Sequence, residues 1–143
     1  MRVNLDLLRQ RAQEIRNGLA ALSRYGALSQ GEFVASQQVV DAAKYRLLVT
    51  IEAAISICTH LASRLAQRTP DSYSQCFEVL ASADIISPQI AERLGHMARF
   101  RNLLVHVYGE VDDGRVWAVI QHDLRDVETY LLEVGNHLKE QLT

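Results

Sequence analysis

The stretch Phe100-Arg101-Asn102-Leu103-Leu104-Val105-His106-Val107-Tyr108-Gly109 places a permanent cation, a histidine and a phenol within eight residues, among mainly apolar side chains. Polar groups of this kind are costly to bury unless they are paired or used, so the cluster points to a site rather than to a solvated face. The residues on either side decide what scaffold presents it.

Upstream, Ser87-Pro88 pairs a capping hydroxyl with proline at a first helical position, and it opens a helix through Ile90, Leu94 and Met97 that delivers Arg101. Before that, Thr69-Pro70-Asp71 breaks the chain, and Asp71 is the expected cap of a short helix carrying Tyr73, Phe77 and Leu80. A long helix is expected from about Gln37 to Ala66. Its centre, LLVTIEAAISIC, is apolar nearly all round and should be buried on most sides. A turn through Ser29-Gln30-Gly31 precedes it. The first helix runs from about Leu5 to Ser23, with Leu8, Ala12, Ile15, Leu19 and Leu22 at three- and four-residue spacing. Downstream, Asp112-Asp113-Gly114 marks a turn. From Arg115 to Leu142 the residues Val116, Ile120, Leu124, Val127, Leu131 and Val134 keep helical spacing and close the bundle.

No convincing period-two strand appears between the two prolines and seven glycines. The expected fold is therefore all-α, a bundle of four to five up-down helices in one domain over residues 1–143. The two cysteines, Cys58 and Cys76, lie in apolar helical patterns and read as small buried hydrophobes in a reducing compartment. The charged N-terminus lacks the apolar region of a signal peptide, and no apolar run approaches a membrane span of about 20 residues, so a soluble cytoplasmic protein is expected. A net charge of -2 weighs against coating nucleic acid by bulk electrostatics. Any nucleic-acid contact must come from a local basic patch.

On a regular helix Arg101 and Tyr108 fall near one face, while His106 points about 140° from Arg101. Either the helix breaks near Gly109, or a second copy of the chain completes the site across a two-fold axis. Arginine with histidine supports phosphodiester cleavage that uses the 2'-hydroxyl of RNA as nucleophile. The imidazole exchanges the proton, and the guanidinium stabilises charge growing on the phosphate oxygens. The bland alternative is a pair of cations suiting the end of a helix.

The run RNLLVHVY resembles the RX4HXY signature of HEPN-domain toxins, specifically the HepT-like branch, and Asn102 supplies the polar residue common after its arginine. RLLVTIEAAISICTHLASR is similar to that family's second helix, PDSYSQCFEVLASADIISPQIAERLGHMARF to its next two, and YGEVDDGRVWAVI to the segment after the motif. The similarity implies a HEPN-type bundle and a metal-independent endoribonuclease toxin with Arg101 and His106 as its catalytic residues. It also implies a minimal nucleotidyltransferase antitoxin that attaches AMP to Tyr108, with RNA as substrate. The expected assembly is a homodimer, or a larger hetero-oligomer with the antitoxin. The alternative is a non-catalytic helical subunit that docks the nucleotidyltransferase.

Glu52, a carboxylate amid LLVTIEAAI, needs a partner if buried, and Arg101 is the one expected. The remaining histidines, His60, His96, His122 and His137, show no metal-ligand spacing, so neither metal nor cofactor is expected. Trp117, Tyr45 and Tyr73 read as core or interface packing rather than base-stacking platforms, because no basic residues interleave them.

Overall fold

Asn4 opens the first helix, α1 (Leu5–Gly26), its side chain accepting the Leu7 N–H at 3.1 Å. Ser29 and Glu32 then form a reciprocal capping box, each side chain accepting the other's backbone N–H, so the expected turn instead begins a short helix, α2 (Gln30–Ala35). Ser36 caps α3 (Gln37–Arg64), and Ser72 caps α4 (Tyr73–Ser82). Ser87-Pro88 starts α5 (Pro88–His106) as its chemistry predicts. A single 3-10 turn at Tyr108–Glu110 follows, then α6 (Asp113–His122) and α7 (Leu124–Leu138). In this computed structural model residues 2–143 are described, apart from the side chain of Tyr108, and no strand occurs among them.

The all-helical bundle is as expected, with seven helices among the described residues. The extra ones have local causes. Besides the capping box, the last segment is interrupted at Asp123, whose N–H bonds Val119 O at 2.9 Å and ends α6. Asp112 of the expected turn is itself the cap of α6, accepting the Gly114 N–H at 2.9 Å. The cap of α4 is Ser72 rather than Asp71, and the first helix continues three residues past Ser23 to Gly26.

α3 is the central element, with α1, α2, α4, α5 and α6 all packed against it. Leu47, Ile51, Ala54, Ile57, Cys58 and Leu61 are buried along its length, and each fully buried large aliphatic contributes about 1.5–3 kcal/mol relative to exposure. By length and composition α3 is apolar enough to cross a membrane, yet more than half of its apolar window is buried inside the bundle, as in a core helix. α1 approaches it closely at Gly18, where an added Cβ would lie 1.9 Å from Thr50 Oγ1. Tyr130 on α7 joins three helices. Its hydroxyl donates to Ala54 O at 3.0 Å, and its ring meets Phe77 edge-on at 5.6 Å. Both cysteines are free and buried, as expected, and burial beside Cys76 pushes the Cys58 thiol far up.

On α5 the buried residues Ile90, Leu94, Met97, Ala98, Phe100 and Leu104 face the core. The same periodicity turns Arg101, Asn102 and His106 outward along the helix rim.

Candidate active site

Arg101 is held from three directions. Its Nη2 donates to Glu52 Oε1 on α3 at 3.0 Å, and its Nη1 donates to Asn102 Oδ1 at 3.1 Å. The guanidinium carbon lies 5.2 Å above the centroid of the Tyr73 ring, within the range of a cation–π contact. The Nε–H is shielded and has no partner among the described residues. These contacts occupy two of the four terminal N–H groups, leaving two to bind an anion.

His106 is the last residue of α5. Val107 leaves helical geometry at φ -132°, ψ 39°, its N–H bonding Leu103 O at 2.8 Å. Gly109 is not the cause of the break: it has no positive φ, and an added Cβ would meet nothing. Among the described residues the exposed His106 ring makes no hydrogen bond, so its nitrogens are open for proton exchange.

Arg101, Asn102 and His106 line one cleft of about 650 Å³. Thr59 and Ser63 of α3, the loop from Arg68 to Ser72, and Tyr73 form its other walls. Arg101 and His106 thus both open from α5 onto one cleft within a single copy of the chain. Glu52 makes the predicted pair with Arg101, but for a different reason: its side chain is 46% exposed, so orientation rather than burial explains the contact. The Tyr108 side chain, the expected modification acceptor, lies outside the described residues.

Tyr73 differs from its sequence reading. It is 40% exposed and lines the cleft beneath Arg101, which sets aside the core half of the core-or-interface reading. Arg68 was not singled out in the sequence. No local pattern pairs either with Arg101, since about thirty residues intervene and only the packing of α4 on α5 brings them together. Trp117 behaves as expected, its indole N–H donating to Leu28 O at 3.0 Å, whereas Tyr45 is 61% exposed.

The model of the family described as Ribonuclease HepT-like matches residues 15–134. The chain belongs to that ribonuclease family. Among its relatives, the tRNA nuclease HepT of Aphanizomenon flos-aquae is 25% identical over 134 residues, covering 92% of this chain and 90% of the relative. The mRNA nuclease HepT of Shewanella oneidensis is 32% identical over 80 residues, 56% of this chain and 60% of the relative. The fold is also that of the tri-AMPylated Shewanella oneidensis HEPN toxin solved in complex with MNT antitoxin. That likeness has a TM-score of 0.84 at 24% identity, over 92% of this chain and 98% of the toxin.

Proposed function

We propose that this HepT-like protein cleaves RNA without a metal ion, as the toxin of a toxin–antitoxin pair acting in the cytoplasm, with Arg101 and His106 carrying the chemistry. The observation that carries this reading is the opening of Arg101, Asn102 and His106 onto one cleft in a chain of a ribonuclease family. The neutral imidazole of His106 takes the proton of a ribose 2'-hydroxyl, whose oxygen attacks the adjacent phosphorus. The bond from phosphorus to the 5'-oxygen breaks, and the proton returns to that oxygen. The products are a 2',3'-cyclic phosphate and a 5'-hydroxyl. The two open N–H groups of Arg101 stabilise the charge growing on the non-bridging oxygens, and Glu52 and Asn102 hold the guanidinium for that task.

The same reading takes a minimal nucleotidyltransferase antitoxin as partner and Tyr108 as the acceptor of AMP, two residues beyond His106 in the chain. Support comes from the similar Shewanella toxin, which is tri-AMPylated and bound to MNT antitoxin. A homodimer belongs to the proposal, with the exposed Leu103 and Val105 beside the site as its apolar contact. Light scattering should then report twice 16.1 kDa.

The test is cleavage of total RNA and of a defined oligonucleotide by purified protein. Arg101→Ala and His106→Ala should retain helical circular dichroism, and His106→Ala should lose about 100- to 10,000-fold in rate. Cleavage should persist in EDTA and leave cyclic phosphate ends. A His106→Ala protein as active as the wild type would refute the assignment.

A further inference from the structure

The loop joining α3 to α4 carries a second arginine into the cleft. Arg68 follows the end of α3, where Gln67 adopts left-handed backbone at φ 53° and the Arg68 N–H closes on Ala62 O at 3.1 Å. Thr69-Pro70 comes next, and proline holds its predecessor away from helical geometry. The Arg68 backbone is thus tied to the end of α3 through its N–H, the next residue is held extended by Pro70, and Arg68 lies on the cleft wall.

Its charge is uncommitted. Among the described residues the exposed Arg68 side chain makes no hydrogen bond or ion pair, whereas Arg101 is paired to Glu52. The cleft lining holds Arg68 and Arg101 with one carboxylate, Asp71, and Glu52 pairs Arg101 from beside it, so Arg68 is the arginine of the lining with no ion pair among the described residues. An open guanidinium fork on the cleft wall is a suitable partner for a phosphate group. A volume of about 650 Å³ suits a nucleotide-sized ligand rather than a bare phosphate group.

We propose that Arg68 is a substrate-binding residue that holds an RNA phosphate next to the scissile one, while Arg101 serves the scissile phosphate itself. The proposal rests on the ribonuclease reading of the same cleft. Because Arg68 contacts a group that does not change during reaction, it contributes equally to ground-state and transition-state binding. Its loss should raise KM and leave kcat in place.

The experiment compares wild type, Arg68→Gln and Arg68→Lys for binding a 2'-O-methyl RNA, which lacks the nucleophile, across a salt series, and for cleavage of the matching RNA. Arg68→Gln should bind roughly tenfold more weakly, and its slope of log affinity against log salt should be shallower by about 0.7, the loss of one single-strand phosphate contact. Arg68→Lys should keep the slope, because it keeps the charge. Equal slopes for wild type and Arg68→Gln, or a fall in kcat at unchanged KM, would overturn the proposal while leaving the ribonuclease reading intact. No RNA binding by the wild type at low salt would overturn both.

Discussion

Arg101 on α5 and Glu52 on α3 meet through a 3.0 Å hydrogen bond between Nη2 and Oε1, with Arg101 only 18% exposed and Glu52 46% exposed. An ion pair this open to solvent adds no more than about 1 kcal/mol to stability. Its value is geometric. Together with Asn102 and the Tyr73 ring it fixes a long, otherwise mobile side chain in one orientation.

Glu52→Ala should therefore impair chemistry more than folding. A guanidinium free to move by about 1 Å loses on the order of 100-fold in rate, so kcat should fall by about 10- to 100-fold with little change in melting temperature. Glu52→Gln, which keeps an acceptor oxygen, should retain most of the activity. Steady-state kinetics beside thermal melts decide this, and full activity in Glu52→Ala would show the pair to be incidental.

The close approach of α1 to α3 at Gly18 yields a stability test. Gly18 admits α1 against α3 because Thr50 Oγ1, which donates to Arg46 O at 2.7 Å, occupies the space a Cβ would need. Gly18→Ala should destabilise the fold by about 1–3 kcal/mol through overpacking. Combining it with Thr50→Ala removes the clash, so the double variant should be much less destabilised than the sum of the two single changes. Strict additivity in denaturant melts would mean the helices relax apart freely.

The histidine nearest the N-terminus should confer acid sensitivity. The Asn4 N–H donates to His60 Nε2 at 2.9 Å, and partial burial, with the nearby Arg64 charge, lowers the pKa of this ring from its usual value. The folded state thus binds the proton less readily than the unfolded chain. The associated stability is fully present above the ordinary histidine pKa of about 6.5 and is lost as pH falls through the lower folded value. Protection of the Asn4 amide, taken as exchange relative to the intrinsic rate at each pH, should fall over that acid range. His60→Gln should show a shallower loss of melting temperature, and an unchanged pH profile in that variant would remove His60 from the account.

Helix existence was legible in the sequence wherever a strong cap met a periodic apolar face, as at Ser87-Pro88 and along α3. The interruption at Asp123 was not, because Val116, Ile120, Leu124, Val127 and Leu131 keep helical spacing straight through it. The site divides the same way. The contact between Arg101 and Glu52 could be anticipated from a lone carboxylate in an apolar run. Tyr73 and Arg68 could not, since they reach the cleft through the packing of α4 on α5 and the turn at Gln67, neither of which leaves a periodic trace.

Tyr108 is the proposed switch. It follows His106 by two residues in the chain, and its backbone opens the 3-10 turn that comes after the site helix. Transfer of AMP to its phenol adds a nucleotide's bulk and the negative charge of a phosphodiester. On the proposed reading, that charge competes with RNA for Arg101 and the nucleotide takes space the substrate needs. Co-expression with a minimal nucleotidyltransferase antitoxin should add one or more AMP masses to the wild-type protein and abolish RNA cleavage. Tyr108→Phe has no acceptor oxygen, so it should keep its unmodified mass and remain active beside the same partner. Intact-mass spectrometry and a cleavage assay on the same samples separate the outcomes. A Phe variant that is modified and silenced like the wild type would place the switch on another residue.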